Sequence, residues 1–378
     1  MKLFVEAHTI VKNKSGVGYF AQGLVQGAQA QLDSRDSIHL ITHPREPHDV
    51  DDLLKDRRTF EHPIDWMPGR LYHALKYRNT IPPIDLVYGK GVYVFPNFIR
   101  WPLARSPSVI VIHDLVVFDM PEYAHPKNVE FMTRHIPTSV EKADLIVAVS
   151  ESSKQTLCRQ FKVDPAKVIV THLAAGPEYA PCSSDTVAAV RARYGIFGKY
   201  MLYLGTVEPR KNIEGIIRAY RALPKKLREE YSLVLAGGSG WRDEGIQQAI
   251  KEARMAGERV IATGYVDMDE KPALFSGAEL FLFPSHYEGF GLPVVEAMQC
   301  GTPVITADNS SLPEAGGEAV VYVDSNNDEQ LIDAMKQVLT DEKLRKKLIA
   351  KGFEQAKKFS WQKSAHGVLQ GIKDRKLG

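Results

Sequence analysis

Glu288 and Glu296 stand eight positions apart, and between them run Gly289-Phe290-Gly291-Leu292-Pro293. The stretch follows an apolar run that ends at Pro284. It reads as strand, glycine turn, then a helix whose first turn holds Pro293, a residue favoured there because the N–H it lacks would have no intrahelical partner. Glycines let backbone N–H groups come close to a ligand, and the helix start adds roughly half a positive charge. Together these make an anion site suited to a pyrophosphate. Taken singly, each acid also has a plainer reading, since a glutamate early in a helix is favoured by the dipole alone.

Other residues offer matching chemistry. Arg210 and Lys211 lie in a strand-to-helix loop, where two adjacent cations offset the charge of a diphosphate. A merely solvated pair is disfavoured there, because cations at a helix start oppose the dipole. His113 ends the apolar run Val109-Ile110-Val111-Ile112 and is followed by Asp114. A lone histidine after a buried strand is usually structural; Asp114 is open between orienting His113, binding an acceptor and capping. Gly16 and Gly18 open a helix and fit the dinucleotide pattern G-x-G-x-x-A, but residues 7–15 separate them from the preceding strand, the wrong spacing for a dehydrogenase. Asp267-Met268-Asp269 spells a D-x-D metal signature. With Glu270 three residues past Asp267, it reads instead as a capping box. Trp66, Arg70, His73, Lys76 and Arg78 combine basic and aromatic groups, as a surface touching anionic lipid headgroups would, although an ordinary helix with a solvated basic face is the plainer reading.

The elements that must position these groups alternate regularly. Candidate strands cover 2–6, 37–42, 86–88, 109–113, 145–149 and 168–171, then 200–205, 232–236, 260–263, 280–284, 303–306 and 319–323. Most are continuous apolar runs, as expected for parallel strands covered on both faces. Helical patterns such as 19–32, 212–223, 245–255 and 329–339 lie between them, which means a doubly wound α/β fold. The pattern pauses at 174–185 (AAGPEYAPCSSD), read as a linker. The last segment, 361–376, is an amphipathic helix with no strand after it. Nearly all the singled-out residues follow strands, where open α/β sheets bind ligands.

At 378 residues the chain exceeds what one core usually supports. Its 44% hydrophobic and 25% charged residues are ordinary for a globular protein. A net charge of +2 is too balanced for a nucleic-acid binder. No apolar run approaches the ~20 residues that span a bilayer, and the N-terminus passes into a strand pattern rather than a signal peptide. Three widely spaced cysteines form neither a disulfide framework nor a zinc motif. The expected location is the cytoplasm, with the inner membrane face as a candidate peripheral site.

The string from Glu288 to Met298 resembles the E-x-F-G-[LF]-P-x-x-E-A-M signature of family-four retaining glycosyltransferases of the GT-B fold. The resemblance extends to Gly205-Thr206-Val207-Glu208-Pro209-Arg210-Lys211-Asn212, Gly237-Gly238-Ser239-Gly240, Gly264-Tyr265-Val266, Ser15-Gly16-Val17-Gly18-Tyr19 and His113-Asp114-Leu115. It implies two Rossmann-like domains with parallel sheets facing a central cleft. Residues 1–175 would bind acceptor, 176–189 link the domains, and 190–357 bind the nucleotide sugar, with 358–378 a candidate to cross back to the first domain. By the same resemblance, Arg210 and Lys211 bind the donor phosphates and stabilise the leaving nucleotide, so that no metal is needed. Glu296 accepts both ribose hydroxyls, and Glu288 and His113 reach the transferred sugar. Gly16, Gly18, Gly205, Val266, Gly289, Phe290, Gly291 and Leu292 complete the donor site. The implied reaction moves a hexose to a glycan or lipid-linked acceptor, with GDP-mannose the leading donor and UDP-glucose or a UDP-N-acetylhexosamine next. An NAD-dependent oxidoreductase leaves the two glutamates unused, and an inactive glycan-binding relative predicts the loss of a key residue, yet all are retained.

Overall fold

The computed structural model describes residues 1–10, 16–42 and 82–378. The basic and aromatic stretch 66–78 and Ser15 lie outside these residues. The chain divides into two compact units, Met1–Leu173 with Ser360–Gly378, and Ala174–Phe359. Each is built on a parallel sheet with six strands among the described residues.

In the first unit the strands are β1 (Lys2–Glu6), β2 (Ser37–Ile41), β3 (Val92–Phe95), β4 (Ser108–Ile112), β5 (Leu145–Ala148) and β6 (Val168–Val170), in the order β2-β1-β3-β4-β5-β6. β3 to β5 are buried along their whole length, because helices cover both faces of the sheet. Residues 86–88, expected as a strand, instead belong to the single helical turn Asp85–Tyr88. The turn is fixed by the Asp85 carboxylate, which accepts the N–H groups of Ala104, Arg105 and Ser106. The strand at this place in the sheet is Val92–Phe95, pairing β1 on one side and β4 on the other. A three-residue apolar run has no periodicity that separates strand from helix.

The final helix, Trp361–Asp374, belongs to the first unit and packs on the helix Gly16–Gln29. The contact depends on glycine. A Cβ at Gly23 would sit 2.1 Å from the Trp361 indole, and one at Gly27 would sit 2.5 Å from the Trp361 carbonyl oxygen. Gln31 Nε2 donates to the Gln362 carbonyl at 2.8 Å, and the Ser364 hydroxyl donates to the His172 carbonyl.

The second unit holds β7 (Lys199–Leu204), β8 (Tyr231–Ala236), β9 (Val260–Gly264), β10 (Leu280–Phe283), β11 (Val304–Ala307) and β12 (Val321–Val323). Their order is β12-β11-β10-β7-β8-β9. From the other edge this is the 3-2-1-4-5-6 order of a Rossmann sheet. The chain leaves β7 towards one edge and later returns to its other side as β10, so the strand order reverses between them, and the loops after these two strands face each other. Beyond β7 and β8 the loops are laced together. Gly205 N donates to Ala236 O, Val207 N to Gly238 O and Gly240 N to Val207 O. Gly237 is required here: φ is +148°, and a Cβ would lie 1.8 Å from the Gly205 carbonyl oxygen.

The irregular stretch after Leu173 lies along the second unit. Tyr179 packs on Phe275, Gln299 Nε2 donates to the Gly176 carbonyl, and Cys182 N donates to Ser276 Oγ.

Gly27→Ala gains intrinsic helix propensity of up to ~1 kcal/mol but drives a methyl into the Trp361 backbone. It should therefore lower stability by about 1–3 kcal/mol. Thermal unfolding measures this, and a raised Tm would contradict the helix packing described.

Candidate functional site

The loop after β7 carries Glu208, Arg210 and Lys211, the last two in the short 3-10 turn Pro209–Lys211. Asn212 follows in the left-handed conformation (φ 54°), and the helix Ile213–Ala222 starts there. The loop after β10 carries Ser285 to Gly291. Because β7 and β10 are neighbours, the two loops meet and their charged groups pair. Lys211 Nζ lies 2.5 Å from Glu288 Oε1, and Arg210 Nη1 lies 3.1 Å from Glu288 Oε2. Arg210 also donates through Nη1 to the Tyr287 carbonyl and through Nη2 to Glu208, at 2.7 and 2.8 Å. The Lys211 ammonium stands 5.0 Å over the Phe283 ring.

Glu288 and Lys211 are both buried. Desolvation raises the Glu288 carboxyl, yet Lys211 and Arg210 outweigh it and hold the group below its ordinary range, so it is an anion. Lys211 is lowered, first by burial and then by repulsion from Arg210, with Glu288 opposing both. A buried ammonium and a largely buried guanidinium thus share one carboxylate as their counter-charge.

Beside this cluster begins the helix Leu292–Gln299. Gly291 precedes it at φ 104°, where any Cβ would be strained and would also meet Leu312 at 2.9 Å. No side chain caps this helix, and Pro293 occupies its first turn. Its start is therefore suited to an anion.

Glu296 lies buried on the same helix, in a different electrostatic setting. Burial pushes its carboxyl up to about 7, with Lys271 and the Tyr179 hydroxyl opposing the rise and Glu178 adding to it. The two glutamates are thus driven in opposite directions. Near neutral pH Glu288 can accept only, whereas Glu296 lies near its midpoint and can also donate when protonated.

The remaining expected residues are placed as follows. His113 is buried after β4, with Phe20 and Phe98 edge-on to its ring, and its Nε2–H donates to the Pro96 carbonyl at 2.7 Å. Burial lowers its pKa, against the pull of Pro96 and Asp114, so the ring is neutral and Nδ1 is its acceptor nitrogen. The Asp114 carboxylate accepts the Val116 N–H at 3.2 Å, beside the short helical turn Val116–Asp119. Gly16 opens the helix Gly16–Gln29, with no atom of the described residues within 4 Å of where a Cβ would be, and Gly18 is buried in its first turn. Gly205 closes β7 against the end of β8, and Val266 is buried after β9 beside the exposed Tyr265. Gly289 and Phe290 complete the turn, Phe290 packing edge-on against Phe359.

The capping box expected at Asp267 and Glu270 does not form. Asp267 caps nothing with its side chain. It pairs with Arg193 at 3.3 Å, while Glu270 takes Arg193 at 2.7 Å and the Tyr194 hydroxyl at 2.5 Å. Partners at the end of the distant helix Ser184–Arg193 win over a local N–H, since bonds to a charged group are the stronger. Among the described residues, no group of three or more His, Cys, Asp or Glu side chains is arranged to hold a metal ion, and no helix is long and apolar enough to cross a membrane.

Sequence reasoning missed the supports. Glu208 steadies Arg210, Lys271 and Tyr179 flank Glu296, and Asn309, Ser310 and Ser311 grip the Glu288 loop. Glu208 had a signal, an acid two residues before the cations. The others come from distant segments.

Glu296 generates a pH test. A carboxyl raised on folding binds its proton more tightly in the folded state. Its contribution is full below the unfolded value of 4.5 and is lost as pH rises towards about 7. Glu296→Gln should be stabilised relative to the parent by about 2–4 kcal/mol at pH 8 and gain little near pH 4.5. Urea unfolding at both pH values measures this, and a pH-independent difference would contradict it.

Residues 192–355 match the family described as glycosyl transferases group 1, and residues 15–175 match glycosyltransferase family 4. The chain is 36% identical over 288 residues to an O-antigen chain mannosyltransferase B of Escherichia coli, covering 76% of this chain and 75% of that protein. It is 32% identical over 271 residues to a serotype-specific mannosyltransferase WbdA of Escherichia coli, spanning 70% of this chain and 33% of the longer relative. In fold it is similar to sucrose-phosphate synthase of Thermosynechococcus elongatus, with a TM-score of 0.76 at 20% identity over 100% of this chain and 99% of that one. Two matched families, a relative covered over most of its length and two parallel Rossmann-type sheets agree: the chain belongs to the group 1, family-four glycosyltransferases of the GT-B fold.

Proposed function

We propose that this glycosyltransferase moves mannose from GDP-mannose to a glycan or lipid-linked glycan acceptor, with retention of anomeric configuration and without a divalent cation. The observation that carries the donor half is the cluster of Arg210, Lys211 and Glu288, set where the sheet order reverses and beside a glycine-led helix start. The likeness to two O-antigen and serotype-specific mannosyltransferases supports the choice of sugar and acceptor class.

In this reading the donor diphosphate takes Glu288's place on Lys211 and Arg210. The helix start at Leu292 shares the charge, and Glu296 binds the ribose diol. Freed from its cations, Glu288 faces the sugar, where its negative charge stabilises positive charge growing at the anomeric carbon. The bond from that carbon to the phosphate oxygen breaks and a bond to the acceptor oxygen forms on the same face. The acceptor's proton passes to the departing phosphate oxygen. Arg210 and Lys211 neutralise the leaving diphosphate, the part a metal ion would otherwise play.

Arg210→Ala and Lys211→Ala should each lower kcat by about 10²–10³-fold, the scale of losing one charge-stabilising donor. Transfer assays over a panel of GDP- and UDP-sugars, with product anomers assigned by NMR and with or without chelator, test the whole proposal. Wild-type turnover in both variants would contradict the site. Turnover abolished by chelator and restored by manganese would contradict the metal-free mechanism, and an inverted product the stereochemistry.

Glu288→Gln separates its two parts. Removing the carboxylate leaves a buried, uncompensated ammonium and should destabilise the ligand-free protein by about 3–5 kcal/mol. The cations then await an anion, so a nucleoside diphosphate should raise the variant's Tm by more than it raises the parent's, while transfer falls. An equal or smaller rise would contradict the displacement.

A further inference from the structure

The loop after β11 grips the loop after β10 at three points. β10 and β11 run parallel with Phe283 opposite Thr306, and the Thr306 hydroxyl donates to the Phe283 carbonyl at 2.8 Å. Just beyond, Asn309 Nδ2 donates to the Ser285 carbonyl at 3.2 Å. The Glu288 N–H donates to Ser310 Oγ at 3.0 Å, and Ser311 Oγ donates to the Glu288 carbonyl at 2.8 Å. Both backbone polar groups of Glu288 are therefore taken by consecutive serines of one neighbouring loop.

The serines are themselves held. Ser310 Oγ donates to Asn309 Oδ1 at 3.0 Å, so its hydroxyl is used both ways. Asn309 Nδ2 also reaches Ser325 Oγ, which lies 3.2 Å from His286 Nδ1. Ser311 is wholly buried, and Ser310 sits in the left-handed conformation at φ 49°. A non-glycine residue there is strained and persists only where its surroundings over-determine it. Ordinary loop chemistry would place glycine or asparagine at such a position. The serine supplies a hydroxyl that glycine lacks, directed at the one residue whose carboxylate neutralises both cations.

We propose that Asn309, Ser310 and Ser311 form a positioning brace for Glu288, with Ser310 its key member. The brace fixes the Glu288 backbone so that its side chain alone moves, from Lys211 and Arg210 in the empty site to the sugar once a diphosphate arrives. Without it, the peptide carrying Glu288 shifts and the carboxylate is misplaced at the reacting centre. Their hydrogen bonds go to the Ser285–Glu288 loop rather than to Lys211 or Arg210, so they act through Glu288. The inference rests on the role given to Glu288 under the proposed function.

The test uses Ser310→Ala, and Ser310→Gly, which removes the hydroxyl while accepting the left-handed backbone. Each should lower kcat about 10-fold to 100-fold, the scale of a misplaced reacting group, and leave the Kd for GDP or UDP within about twofold of the parent. In a Glu288→Gln background the same substitution should have no further effect on the residual rate beyond about twofold. Ser310→Gly at the parental rate would overturn the brace while leaving the Glu288 assignment intact. An equal loss from Ser310→Gly with and without Glu288 would overturn it too, because the serine would then be acting by another route. A fully active Glu288→Gln would instead overturn the site reading, and the brace with it.

Discussion

Two cations placed side by side in a partly buried loop repel each other and lose much of their hydration, so they persist only if an anion completes them. In the ligand-free molecule that anion is Glu288. Its carboxylate spans the Lys211 ammonium and the Arg210 guanidinium, while Glu208 steadies the far side of Arg210. The Coulombic gain outweighs the desolvation of Glu288, which therefore ionises more readily than an ordinary carboxyl despite its burial. Such a cluster is weak evidence for stability, since apolar residues often fill the same space as well. Its value lies in specificity. It keeps the buried Lys211 and the largely buried Arg210 assembled around a shared counter-charge, where the proposed function puts the donor diphosphate.

The fold exists to bring those loops together. Arg210 and Glu288 are 78 positions apart in the chain, yet the reversal in strand order makes β7 and β10 neighbours. The glycines at 205 and 237 let the ends of β7 and β8 close upon each other, which anchors the cation loop from the opposite side. The helix at Leu292 then presents an uncapped start beside the same charges. Glu296, four residues into that helix, is as buried as Glu288 but less compensated by cations, and its raised pKa marks the difference. One short segment thus supplies an anionic carboxylate and a proton-holding one, each set by what surrounds it.

Much of this was legible in the chain. Continuous apolar runs gave the parallel sheets, and E-G-F-G-L-P-V-V-E-A-M with P-R-K gave the charged residues that meet. The strand at Val92–Phe95 was missed in favour of residues 86–88, because a short apolar run looks alike as strand or as one helical turn, and the carboxylate of Asp85 decides the matter through bonds to residues 104–106. The capping box at Asp267 and Glu270 failed for a related reason: Arg193 and Tyr194, more than seventy residues earlier, claim the acids. Local spacing cannot report a competitor from a distant segment. The same limit hid the serine brace and the neighbours of Glu296. His113 was visible as a residue, but its bond to Pro96 and its aromatic walls come from other strands and helices.

The claim at the centre is an exchange of anions on Lys211 and Arg210. A crystal structure with a bound nucleoside diphosphate tests it most directly. The diphosphate is expected on Lys211, Arg210 and the helix start at Leu292, with the Glu288 carboxylate withdrawn from both cations and its backbone unmoved. A nucleotide bound elsewhere, with the Lys211–Glu288 pair intact, would contradict it.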